Sequence, residues 1–108
     1  MELTKADKRA AREIIATGLQ NEFKQGLLNA GSIVKEWERT GGDNKAYYHK
    51  LYTAVKDFDK HIAHRYDAMR GSDYLFIIAA QLNEGVVSED DLTELSEDAR
   101  KAIAIIRK

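Results

Sequence analysis

The 108-residue chain predicts an all-α fold: a compact helical bundle built on a long antiparallel hairpin, with a buried third helix and one or two short C-terminal helices. Three observations carry that expectation. The chain has no proline, where average usage of about 5% would give roughly five, and proline is the residue helix interiors tolerate least. The strong helix formers Ala, Leu, Glu, Lys and Arg are abundant. Apolar residues recur at steps of three and four over long stretches, the period of one helix face.

The first helix is expected over about 4–40. Thr4 is a good N-cap, with Asp7 three residues on as a weak capping box. Ala11, Ile15, Leu19, Phe23, Leu27, Ala30, Val34 and Trp37 then form one apolar stripe. Gly18, Gly26 and Gly31 lie inside it. A break near Gly18 is one reading; the preferred one is a close approach by a second helix. Gly41-Gly42 ends the helix with a left-handed residue.

Asp43 or Asn44 caps the second helix, expected over 44–69 with the stripe Tyr48, Leu51, Val55, Phe58, Ile62, Tyr66 and Met69. A loop this short between two amphipathic helices makes an antiparallel hairpin. Ser72 and Asp73 open the third helix (73–84), whose Leu75 to Leu82 leave almost no polar face, so it is expected to be buried. Gly85 ends it. The Ser88 to Asp91 spacing starts the C-terminal region (88–107), which Ser96 splits if it caps a second short helix.

At this size one domain, residues 1–108, is the default expectation. Seventeen basic and eighteen acidic residues nearly cancel, which argues against a nucleic-acid binder, although Lys5, Lys8, Arg9 and Arg12 cluster near the N-terminus. There is no cysteine, hence no disulfide framework or thiolate metal site. The N-terminus lacks a signal-like apolar stretch, and the longest apolar run, 74–80, is seven residues, far short of the ~20 that span a bilayer. A cytoplasmic protein with no membrane association is expected.

Four constellations could carry function. Asp57, His61 and His64 stand at i, i+4 and i+7 on the outer side of the second helix; imidazole with carboxylate suits a divalent transition metal such as zinc or nickel. Solvated surface histidines are the ordinary alternative. Arg70, Gly71 and Ser72 precede a helix start and could bind an anion, although Asp73 already places negative charge there. Glu22 and Asp59 sit at the edges of their stripes, where a carboxylate needs a partner. Trp37, Tyr47, Tyr48 and Tyr52 cluster near the hairpin turn; exposed together they would form an aromatic surface for a protein partner, and buried they would close the bundle's end.

No Ser sits in a Gly-x-Ser-x-Gly context and no nucleophile–base arrangement is evident. The expectation is therefore a non-enzymatic interaction or regulatory module without a cofactor, the metal-binding protein being the alternative. A first helix of about 50 Å, at about 1.5 Å per residue, outruns what the rest of the chain can cover. An overhanging apolar stripe invites self-association, so a homodimer is also expected.

Overall fold

The computed structural model describes residues 2–108, and its regular structure is all helical, with no strand among them. Four α-helices follow in order: α1 (Lys5–Thr40), α2 (Asn44–Tyr66), α3 (Tyr74–Asn83) and α4 (Glu97–Ile106), with 3-10 turns at Gly71–Asp73 and Glu89–Leu92. No helix among the described residues is long and apolar enough to cross a membrane. The chain clusters into two compact units. One holds the residues up to Glu22 together with Met69–Lys108; the other is Phe23–Ala68. No linker divides them, because α1 runs unbroken past the boundary.

The first unit is a closed core. The opening turns of α1 bury Ala10, Ala11, Ile14 and Ile15, and α3 buries Leu75, Ile77, Ile78, Ala79 and Leu82. Val86, Val87, Leu92, Leu95, Ala99 and Ile103 complete it. At Gly18 the α1 backbone is closely approached by α3: a Cβ there would fall into the Gln81 side chain, whose Nε2 donates to the Ile15 carbonyl at 3.1 Å. Close approach, not a break, explains this glycine.

The helix ends in this unit are set by local chemistry. Gly85 takes φ +74°, and the N–H groups of Gly85 and Val86 donate to the carbonyls of Leu82 and Gln81, the paired bonds of a Schellman stop. Ser88 and Asp91 form the expected box, Ser88 N–H to Asp91 at 2.8 Å, but it opens only the turn Glu89–Leu92. Ser96 caps α4 by accepting from the Ala99 N–H at 3.2 Å, so the C-terminal region is split as Ser96 allowed.

Asp7 departs from its expected role. Its N–H donates to Thr4 Oγ1 at 3.0 Å, but its carboxylate turns inward, 3% exposed, and accepts from the Ser96 N–H (2.8 Å) and hydroxyl (2.7 Å). Those two bonds, hydroxyl first, outweigh the cost of burial and hold the Asp7 carboxyl below the ordinary carboxylate range.

The second unit is a helical hairpin made by the last half of α1 and all of α2. Gly41, at φ +61°, stops α1, and Asp43 caps α2 by accepting from the Lys45 N–H at 3.3 Å. The two helices meet where a Cβ on Gly26 would stand 3.0 Å from the Phe58 ring, and Phe23 packs edge-on to Phe58 at 5.8 Å between centroids. Little else is enclosed. Ile33 is the one apolar residue of this unit that is buried, and α2 buries none at all. α2 also ends at Tyr66, three residues before the expected 69.

Candidate functional site

An antiparallel hairpin has two broad faces besides the seam where its helices touch. At about 100° per residue, one side of this hairpin carries Phe23, Leu27 and Val34 from α1 with Tyr48, Tyr52 and Val55 from α2. The opposite side carries Glu36 with Lys50, Asp57, His61 and His64. The polar side is tied across the helices: Lys50 pairs with Glu36 at 3.5 Å, and the Tyr47 hydroxyl donates to Glu36 Oε1 at 3.2 Å.

The apolar side is open to solvent. Leu27 is 75% exposed, Tyr48 74%, Tyr52 55% and Val55 47%. Towards the turn the face deepens into a cleft of about 270 Å³, lined by Ile33, Val34, Trp37, Asn44, Tyr47, Tyr48 and Leu51. Trp37 is held there by its indole N–H, which donates to Asn44 Oδ1 at 2.8 Å. Fixing the ring leaves its apolar surface presented in one orientation, which lowers the entropy cost of a contact made on it. A second cleft, about 350 Å³, runs along α2 between Tyr52, Val55, Lys56, Asp59, Lys60 and Ala63.

The four aromatics near the turn divide by role. Trp37, Tyr48 and Tyr52 belong to the exposed face. Tyr47 lies over Gly42, where a Cβ would strike its ring, and its hydroxyl is engaged by Glu36 and accepts from Thr40 at 3.4 Å. Phe23, Leu27 and Val55 join the surface although none stands out in the sequence as a site residue. The signal for them is their place in the same stripes as the aromatics, Phe23 and Leu27 with Trp37 on α1 and Val55 with Tyr48 on α2.

Asp57, His61 and His64 share the polar side of α2. Among the described residues they are not a set whose ligand atoms lie within 4.8 Å of one another. The His61 ring instead leans on Phe58, 6.3 Å between centroids. In the first unit, Gly71 and Ser72 lie in a 3-10 turn of three residues. The carboxylate of Asp73 accepts from the Arg70 N–H at 3.0 Å, so the protein's own acid stands where an anion would be received. Gly71 and Ser72 border a cleft of about 580 Å³ with Leu3, Lys8, Phe76 and Ile105. Glu22 is buried and Asp59 exposed.

Comparison of the chain with protein-family models, with curated proteins and with solved structures gives no match. The functional reading therefore rests on this geometry.

Proposed function

We propose that the protein is an interaction module, not an enzyme, and that it receives its partner on the apolar face of the α1–α2 hairpin. One observation carries this reading: of nine large apolar side chains left exposed, seven (Phe23, Leu27, Leu28, Trp37, Tyr48, Tyr52 and Val55) belong to the hairpin, and all but Leu28 line one side of it. Scattered exposed apolar residues need no explanation, but a contiguous patch of this kind is the usual mark of a contact surface. Its composition fits too, since Trp and Tyr are enriched among the residues that dominate binding energy. The cleft beside Gly71 is a poorer candidate, because Phe76 and Ile105 are the only large apolar side chains exposed around it.

The test is binding of an apolar-surface dye, 1-anilinonaphthalene-8-sulfonate, to the dilute monomeric chain. Fluorescence enhancement that disappears in Tyr52→Arg, with helical content unchanged, is the expected result. A monomer that is folded and leaves the dye dark contradicts the reading.

A further inference from the structure

We propose that the occupant of this face is a second copy of the same chain, with α2 packed antiparallel on α2 about a two-fold axis that crosses the face midway between the levels of Lys56 and Asp59. The inference rests on the docking reading above and names its partner.

The first argument is the pairing of residues along the α2 cleft. In a two-fold interface residue i meets residue j and j meets i, so a helix that packs on itself must be complementary to its own reverse. The six residues that line the cleft satisfy this among themselves about one centre: Tyr52 with Ala63, Val55 with Lys60, Lys56 with Asp59. Near the middle of the face a large ring meets the smallest side chain of the six and the one acid meets a base, while Val55 and Lys60 border the contact on its two flanks. One turn further out, Tyr48 faces Asp67, a phenolic donor opposite a carboxylate. Moving the centre to Val55 would set Asp59 against Leu51 and stack Tyr52 on Phe58, leaving the acid without a counter-charge.

The second argument is area. The exposed fractions of Phe23, Leu27, Tyr48, Tyr52 and Val55 amount to on the order of 500 Å² of apolar surface, given that an aromatic side chain offers about 150–250 Å². A standard interface buries about 800 Å² per partner, roughly 60% of it apolar. The two figures agree. Leu27 stands level with the crossing point, because its neighbour Gly26 packs on Phe58, so α1 flanks the contact and each hairpin gives two helices to a four-helix arrangement.

The experiment is the solution mass of the full chain by light scattering, together with a charge exchange at two exposed positions. A mass near 24 kDa, twice 12.2 kDa, is expected for the unaltered protein. Lys56→Glu and Asp59→Lys should each weaken dimerisation about tenfold or more, because each places like charges face to face. The double variant should restore the dimer, and Tyr52→Arg should abolish it. A dimer indifferent to all of these overturns the assigned surface. A monomer whose dye binding is lost in Tyr52→Arg overturns the second copy as occupant but keeps the docking surface for a different protein. A monomer that binds no dye overturns both readings.

Discussion

The two units of this chain are made from the same kinds of residue and differ in what covers them. The first encloses sixteen of the seventeen buried apolar residues among those described, and the hairpin encloses one, Ile33. The first leaves two large apolar side chains exposed and the hairpin seven. A hairpin of two helices has no third element to lay on its broad face, whereas α3 brings α1 and α4 a helix apolar on nearly every side. The lesson is that amphipathic periodicity specifies a helix and a face, but burial of that face needs a partner of the right shape. In the first unit the chain supplies the partner; in the second the face stays open.

The largest contrast is expected from one substitution in each unit. Ile78, fully buried in α3, should cost about 3–4 kcal/mol as Ile78→Ala. Tyr52→Arg on the hairpin face should change the stability of the dilute chain by no more than about 0.5 kcal/mol. Urea unfolding of both variants checks the contrast, and equal losses would show that the hairpin face is part of the folded core.

Asp7 sharpens the account of the closed unit. Asp7→Ala strands the Ser96 N–H and hydroxyl and should cost about 2–3 kcal/mol. Its folded pKa is depressed, so the stabilisation is fully present above the unfolded carboxylate value near pH 4 and is lost as pH falls through the lower folded value. Stability curves of the parent and Asp7→Ala should therefore converge in acid and stay apart at neutral pH. Parallel curves down to the acid limit would contradict the assignment.

The glycines of α1 give a smaller and opposite pair of effects. Gly18→Ala must displace the Gln81 side chain and should cost about 1–3 kcal/mol. Gly31 faces open space, so Gly31→Ala should gain about 0.5–1 kcal/mol from helix propensity. Thermal melts of the two variants measure this directly, and a Gly18→Ala that is neutral would mean α3 lies further from α1 than described.

Much of the backbone was legible in the sequence because its signals are local. Gly41 and Gly85 stop their helices, Asp43 and Ser96 start theirs, and the missing prolines allow α1 its full length. The non-local parts were hidden. Asp7 reads as a cap residue for α1, yet its partner Ser96 lies 89 positions away. The stripe from Ala11 to Trp37 reads as one apolar face longer than the chain can cover, and of its residues only Ala11 and Ile15 are buried, since spacing records which residues share a side and not what lies against them. The same limit applies to the site. Trp37, Tyr48 and Tyr52 were visible as an aromatic cluster, while Leu27 and Val55 were visible only as members of their apolar stripes. Tyr47 gave no hint of its engagement with Glu36, eleven residues back on the other helix.

The most direct measurement of the central claim is amide hydrogen exchange of the intact chain, compared between dilute and concentrated solution. Protection along residues 48–63 of α2 should rise with concentration, while that of residues 77–82 in α3 stays unchanged, because only the hairpin face acquires its cover from another molecule. Exchange along α2 that is identical in both solutions, or already as slow as in α3 when dilute, would contradict it.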